Sequence, residues 1–147
     1  MTHEVTEADL PHLRRCVELA AEAVEAGDFP FGSVLAAADG TVLAEDRNRE
    51  ITMADPTRHP EFELARWAAA NMTAAERAAA HGWAGLGRIV YVTSTEQLGA
   101  WLAELGVSPG PVLPLAIPDV VRGAVVAGPV PGLAEQVRDL HRRFRSA

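Results

Sequence analysis

The chain has 147 residues, of which 48% are apolar and 22% are charged, and this balance is typical of one globular domain with an aliphatic core. Thirteen basic and twenty acidic side chains give a net charge of −7, which disfavours nucleic acid as a partner and favours a small molecule. No apolar run is long enough to span a membrane, and "MTHEVTEADL" lacks the pattern of a signal peptide, so we expect a cytoplasmic protein.

The first half of the chain predicts a helix, a β-hairpin and a second helix. Apolar residues recur at helical spacing in "TEADLPHLRRCVELAAEAVEAG", with Thr6 as the expected N-cap and Gly27 as the expected end. Two apolar runs in "FGSVLAAADGTVLAEDRN" are joined by an Asp-Gly pair, which is typical of a tight hairpin turn. In "ADPTRHPEFELARWAAA", Pro60 suits the first turn of a helix, so His59 lies at or just before the helix start.

The second half predicts further helices and strands in alternation. A short helix is expected over "TAAERAAAHG", a buried strand over "GRIVYVTS", and a helix over "TEQLGAWLAELG" that ends at Gly106. The segments "PVLPLAI" and "GAVVAGPV" are strand candidates, although the prolines make the first an edge or irregular segment. An amphipathic helix over "PGLAEQVRDLHRRF" closes the chain. This order predicts a three-layer α/β protein, and we expect residues 1–147 to form a single domain because no repeat or linker interrupts them.

Five segments together resemble a known family. They are "DFPFGSVLAAADGTVLAEDRNRE", "DPTRHPEFELARWAA", "VYVTSTE", "LPLAIPDVV" and "GAVVAGPV", and they occur in the order found in the cytidine/deoxycytidylate deaminase superfamily. The resemblance covers about residues 10 to 145 and is strongest to the branch of nucleoside, guanine and tRNA-adenosine deaminases. It implies a three-layer α/β/α cytidine-deaminase-like fold, with a mixed central sheet of about 4–5 strands flanked by helices, and a homodimer.

The resemblance also implies roles for particular residues. In the family, a His-x-Glu sequence and a Pro-Cys-x-x-Cys sequence, at the starts of two helices, bring one imidazole and two thiolates onto a zinc ion. His59 then corresponds to the zinc imidazole and Glu61 to the residue that shuttles protons, and we name both as candidate catalytic residues. Asn48 matches the asparagine that hydrogen-bonds the substrate. Residues 29–32, with Phe29 and Phe31, match the loop that lines the pocket.

The cysteine half of the zinc motif is missing. Where the family reads Thr-Ser-x-Glu-Pro-Cys-x-x-Cys, this chain reads "TSTEQLGAWL", so Leu98 and Trp101 stand in the cysteine positions. No cysteine follows Cys16, which is the only one in the chain. Catalytic zinc takes three protein ligands, of which His59 supplies one and Glu96 could supply a second. We therefore expect no zinc, no metal-ligand set and no other cofactor.

The same residues also have ordinary structural roles. Glu61 suits the positive end of a helix dipole, His59 can serve as an N-cap, and Asn48 favours a turn after a strand. Trp101 is more often a core residue than a surface on which a flat substrate stacks. His81, in "AAHGWAG", is more often an exposed loop residue than a metal ligand.

Three functions from different classes remain open. The first is a zinc-free descendant of the deaminases that binds a small heterocyclic or nucleoside-like metabolite and performs acid–base chemistry through Glu61. The second is a non-catalytic binding or partner subunit on the same scaffold. The third is a zinc-dependent deaminase with substituted ligands, whose metal donors the sequence does not offer. Without zinc, hydrolytic deamination lacks its nucleophile. The predicted substrate-binding residues are Asn48, Phe29, Phe31, Trp101 and Glu96.

Overall fold

The structure is a computed structural model that describes residues 2–73 and 87–147, with side chains described from Glu4 onward. The helix predicted over "TAAERAAAHG" and the residue His81 lie outside the described residues, apart from Thr73. None of the helices in the described part of the chain is long and apolar enough to cross a membrane.

The first helix, α1 (Leu10–Ala26), follows a two-residue strand, β1 (Thr2–His3). Gly27 ends α1 as predicted, in a left-handed conformation with φ of 91°. The prediction of Thr6 as N-cap is wrong, because the N-cap residue is Asp9. The Asp9 carboxylate accepts hydrogen bonds from the backbone N–H and the hydroxyl of Thr6, at 2.7 and 2.8 Å, so the residues between them form a turn before the helix.

The predicted hairpin is confirmed and consists of β2 (Gly32–Ala36) and β3 (Val42–Arg47). The connection is closed by a hydrogen bond of 2.8 Å from the backbone N–H of Ala37 to the carbonyl of Thr41. Gly40 has a φ of 88°, a conformation that favours glycine.

The remaining elements largely follow the predicted order. They are α2 (Pro60–Asn71), β4 (Arg88–Val90), α3 (Thr95–Glu104), α4 (Ile117–Val120), β5 (Val125–Ala127) and α5 (Pro131–Arg145). The start of α2 at Pro60 and the strand β5 confirm the sequence patterns, and α3 ends at Glu104, two residues before the predicted Gly106. The segment "PVLPLAI" is not a strand. Its prolines lack the N–H that a strand ladder needs, and the side chain of Val112 is 82% exposed, so no sheet covers it.

The described strands form two sheets. Strands β1, β5 and β4 make a parallel sheet in that spatial order, with Ile89 opposite Val126, and the hairpin makes the second sheet. A mixed α/β chain is therefore confirmed. The single central sheet of about 4–5 strands, and the three layers built on it, stay a prediction.

The hairpin lies between α1 and α2, both of which contact it. Side chains alternate along β2, so Gly32 and Val34 face α1 whereas Ser33 and Leu35 face α2. The first side of the hairpin, which packs on α1, we call the α1 face. Helix α1 in turn belongs to a cluster of buried residues, which we call the α1-face cluster, that joins α1, α3 and α5: Leu13, Val17, Ala20, Val92, Trp101, Leu133, Ala134 and Leu140. On the second side, the α2 face, a smaller cluster contains Leu35, Leu64 and Ala68. The polar residues of interest lie at the beginning of α2.

Candidate functional site

The N-terminus of α2 is fixed by backbone geometry. Pro60 is fully buried at the first helical position, and His59 is the N-cap residue in an extended conformation. The carbonyl of His59 accepts hydrogen bonds from the backbone N–H groups of Phe62 and Glu63, at 3.1 and 3.3 Å. The His59 side chain makes no cap hydrogen bond. The N-cap position thus accounts for the backbone of His59 but leaves its imidazole available for other contacts.

Glu61 lies exposed in the first turn of α2, where the helix dipole favours negative charge. The hydroxyl of Ser33 donates a hydrogen bond of 3.1 Å to Oε1 of Glu61. Among the described residues, no second hydrogen bond reaches this carboxylate. The carboxylate is therefore oriented from β2, and within the described residues its second oxygen has no hydrogen-bond partner.

The imidazole of His59 contacts a carboxylate that the sequence analysis did not single out. Nε2 of His59 lies 3.3 Å from Oε1 of Glu50, and the two side chains are 42% and 16% exposed. The imidazole and the ring of Phe62 also meet in an edge-to-face arrangement, with 5.5 Å between ring centroids. Because Phe62 is itself exposed, an apolar surface adjoins the polar atoms of His59 and Glu61.

Asn48 connects this carboxylate to the interior. Its side chain is fully buried, its Oδ1 accepts a hydrogen bond of 3.0 Å from the backbone N–H of Glu50, and its Nδ2 donates to Oε2 of Glu50. The backbone N–H of Asn48 donates to the carbonyl of Phe31 at 3.0 Å. The asparagine predicted to contact a substrate is thus bonded through both side-chain polar atoms to Glu50. An asparagine two residues before an acidic residue is the sequence signal that could have drawn attention to Glu50.

Asp28 anchors the loop that carries these residues. Its fully buried carboxylate accepts hydrogen bonds from the backbone N–H groups of Ile51 and Thr52, both at 2.9 Å, from the Thr52 hydroxyl at 2.7 Å and from Arg47 at 3.0 Å. Burial alone would raise the pKa of Asp28, but the hydrogen bonds from Thr52 and Arg47 hold it below its ordinary value. Sequence reasoning missed Asp28, because its partners lie 19 to 24 residues further along the chain.

The two phenylalanines predicted to line the pocket pack against α5. The ring of Phe29 lies 5.0 Å from that of Phe144, and the ring of Phe31 meets the buried imidazole of His141 edge-on at 5.5 Å. The backbone of Phe31 is bonded to Asn48, so this loop touches the site through its main chain.

The two predicted site residues of α3 lie elsewhere. Trp101 is 7% exposed and belongs to the α1-face cluster, which is the core role that the sequence also allowed. Glu96 is exposed in the first turn of α3, whose N-terminus is capped by Ser94 and Gln97. No hydrogen bond or ion pair among the described residues joins Glu96 to His59. Contacts among the described residues therefore join His59 and Asn48 to Glu50, and Glu61 to Ser33, and none of these contacts involves Glu96 or Trp101.

A groove of about 360 Å³ runs between β3 and the second half of α2. Its lining includes Ala44, Leu64 and Trp67 together with charged side chains at the rim. Neither His59 nor Glu61 lines this groove, so it is separate from the polar cluster at the beginning of α2.

Comparison with known proteins gives one partial similarity. A segment of 55 residues is 46% identical to guanine deaminase from Bacillus subtilis (strain 168). The segment covers 37% of this chain and 35% of the relative, so the match spans about a third of that protein's length. No protein-family model matches the chain. The similarity supports a relationship to the deaminase superfamily over that segment, and the activity of the whole protein is a matter for proposal.

The deaminase superfamily implies zinc, and the donor set can be tested on the described residues. Residues 4–73 and 87–147 contain no group of three His, Cys, Asp or Glu side chains placed to hold a metal ion. At the beginning of α2, the imidazole of His59 already faces Glu50 through Nε2, and Leu98 and Trp101 have no donor that zinc accepts. These residues do not fit a catalytic zinc ion with three protein ligands.

Proposed function

We propose that the beginning of α2 is the binding site for a small heterocyclic or nucleoside-like molecule, in a zinc-free descendant of the deaminases. The observation that carries the proposal is that two polar side chains, those of His59 and Glu61, lie at the same helix terminus and are each held by another residue. The Glu61 carboxylate is exposed and bonded to Ser33, and the His59 imidazole contacts Glu50 instead of capping the helix. Ligand sites use a small number of fixed polar groups to orient the bound molecule, and Glu61 and His59 could serve in this way.

The chemistry of these groups suits a flat, nitrogen-containing ring. A carboxylate accepts hydrogen bonds from ring N–H and amino groups, and the positive end of the α2 dipole stabilises its charge. The exposed ring of Phe62, which meets His59 edge to face, offers an apolar surface to one side of such a molecule. The name of the partial relative, guanine deaminase, makes nucleobases the first class to test.

The chemistry we propose for the site is proton transfer by Glu61. A carboxylate can take a proton from a ligand or return one to it, but on its own it does not generate hydroxide from water at neutral pH as zinc does. Any reaction here is therefore an acid–base step on the bound molecule. Binding without turnover would favour the non-catalytic alternative.

A binding screen tests the proposal. Nucleobases, nucleosides and small amides are tested for stabilisation of the purified protein by thermal shift, and a hit is measured by calorimetry and assayed for turnover. We expect Glu61→Gln to weaken binding by about tenfold or more, because a hydrogen bond to a charged group contributes about 1.5–3 kcal/mol. Turnover unchanged in Glu61→Gln would contradict its catalytic role.

A matched control lies on the same helix. Glu63 is also in the first turn of α2, but its carboxylate is paired with Arg58 at 3.2 Å and with Arg66 at 2.7 Å. Glu63→Gln should leave affinity for the same nucleobase within about twofold of the unmodified protein. Equal losses in the two variants would show that a general negative charge, rather than Glu61, attracts the ligand, and would contradict the proposed site.

A further inference from the structure

A chain of three polar side chains runs from the interior to the proposed site. Asn48 is fully buried, Glu50 is 16% exposed and His59 is 42% exposed at the side chain. One oxygen of Glu50 accepts a hydrogen bond from Nδ2 of Asn48, and the other lies 3.3 Å from Nε2 of His59. Glu50 thus connects a buried amide to the imidazole that we place beside the ligand.

The orientation of the Asn48 amide follows from its partners. The backbone N–H of Glu50 can only donate, so the Asn48 atom that it contacts at 3.0 Å must be the carbonyl oxygen. The other amide atom is then the NH₂ group, which donates to Oε2 of Glu50. An Asx-type turn would account for the first of these bonds alone, and it would not place the Glu50 carboxylate between Asn48 and His59.

The same reasoning extends to the imidazole. An ionised carboxylate has no proton to donate, so its Oε1 atom favours a hydrogen on Nε2 of His59. In a neutral imidazole only one nitrogen carries a hydrogen, and the second nitrogen, Nδ1, then has a free lone pair. A carboxylate oxygen 3.3 Å from Nε2 therefore favours this nitrogen as the one that carries the hydrogen, which leaves Nδ1 as the acceptor.

We propose that Asn48 and Glu50 are positioning residues that hold neutral His59 as the Nε2–H tautomer, with Nδ1 presented to the ligand as an acceptor. The role for the ligand rests on the proposed function. Together with the open oxygen of Glu61, Nδ1 gives the site two acceptors, which select a ring edge that presents N–H donors. In this arrangement Asn48 acts through Glu50 and His59 rather than by touching the ligand.

Imidazole ¹⁵N NMR tests the tautomer in the protein without ligand, at a pH where the ring is neutral. The chain has five histidines, and the His59 signals are assigned by their loss in His59→Asn. We expect the hydrogen on Nε2 in the unmodified protein. In Glu50→Gln the new amide keeps the size of Glu50, and its oxygen should turn to the NH₂ group of Asn48. Its own NH₂ group then faces Nε2, which becomes the acceptor, and the hydrogen moves to Nδ1.

Two further variants complete the experiment. Glu50→Ala removes the carboxylate that favours a hydrogen on Nε2 of His59, so this variant should give a mixture of both tautomers. Glu63→Gln alters a carboxylate that is paired with arginines, and it should leave the His59 signals unchanged. An Nδ1–H tautomer in the unmodified protein, or identical His59 signals before and after Glu50→Gln, would overturn the proposal. A loss of structure would disturb the signals of all histidines, whereas the expected inversion is confined to His59. Because no ligand is present, a failure here is distinct from a failure of the binding screen.

Discussion

The two faces of the β2–β3 hairpin differ in what their residues do. On the α1 face, a Cβ atom added to Gly32 would lie 2.5 Å from Cβ of Leu19 and 2.6 Å from the carbonyl oxygen of Cys16, so helix and strand are in direct contact. On the α2 face, Ser33 of the same strand bonds to the exposed carboxylate of Glu61. One side is closed by packing and the other keeps polar atoms accessible. If the proposed site is correct, we expect stability and ligand binding to depend on separate residues of this one short strand.

The loop between β3 and α2 shows how the two sides are connected. The buried carboxylate of Asp28, just after α1, accepts three hydrogen bonds from Ile51 and Thr52 of this loop and a fourth from Arg47 at the end of β3. The same loop carries Asn48 and Glu50, which contact the proposed site. We therefore expect substitutions at Asp28 and on the α1 face to lower stability. Substitutions of the exposed polar residues on the α2 face, outside its buried cluster, should lower ligand binding with little change in stability.

The largest loss of stability is expected for Asp28→Ala. The substitution leaves Arg47 and two backbone N–H groups without their buried acceptor, and removing one member of a buried ion pair costs about 3–5 kcal/mol. Urea unfolding followed by circular dichroism measures the change. Asp139→Ala is the matched control, since this exposed aspartate pairs with Arg142 on the surface of α5 and should change stability by less than about 0.5 kcal/mol. Similar losses in both would contradict the role of Asp28.

A second effect depends on pH and on His141. Burial, and after it the positive charge of Arg145, lowers the pKa of His141 from 6.5 to about 4. Between those values the unfolded chain binds the proton and the folded chain does not, so this contribution to stability is complete above pH 6.5 and is lost as the pH falls toward 4. The loss is about 3 kcal/mol at most. His141→Gln should remove that part of the pH dependence of unfolding, and an unchanged slope in the variant would contradict the assignment.

A smaller effect is expected from Gly32→Ala on the α1 face. The added methyl group would force α1 and β2 apart, because the atoms it meets belong to helix backbone and to a Cβ, and such overpacking costs about 1–3 kcal/mol. Gly99→Ala is the control, since a Cβ there meets nothing within 4 Å and alanine favours the α3 helix. Unfolding free energies of both variants are compared. A Gly32→Ala protein as stable as the unmodified one would mean that the α1 face is not closely packed.

The elements that the sequence predicted correctly have local causes. An Asp-Gly pair between two apolar runs specifies the hairpin, Pro60 specifies where α2 begins, and Gly27 specifies where α1 ends. Each signal depends on the conformations available to one or two residues. "PVLPLAI" failed as a strand because apolar composition does not provide a neighbouring strand to pair with.

The candidate site was predicted in part for the same reason. Pro60 predicts the placement of His59 and Glu61 at the start of α2, and their selection as candidate residues comes from the family resemblance. Glu50 and Asp28, in contrast, have partners that only the folded chain supplies. The aromatic side chain of Trp101 could stack on a flat ligand, but it is buried in the α1-face cluster and is therefore a core residue. Side-chain partners distant in sequence leave no periodic signal, so sequence reasoning does not find them.

The smallest effect on stability is expected for Ser33→Ala, on the α2 face. The bond from Ser33 to Glu61 lies at an exposed carboxylate, where water replaces the hydroxyl, so its loss should cost less than about 1 kcal/mol. Affinity for a nucleobase found in the screen should still fall several-fold, because Glu61 loses the group that orients it. Gly32→Ala, one residue earlier in the strand, should show the reverse, with lower stability and an affinity that is little changed once the protein is folded. Should Ser33→Ala cost 2 kcal/mol or more, the polar atoms of the α2 face would be part of what holds the hairpin in place, and the separation of stability from binding would not apply to this strand.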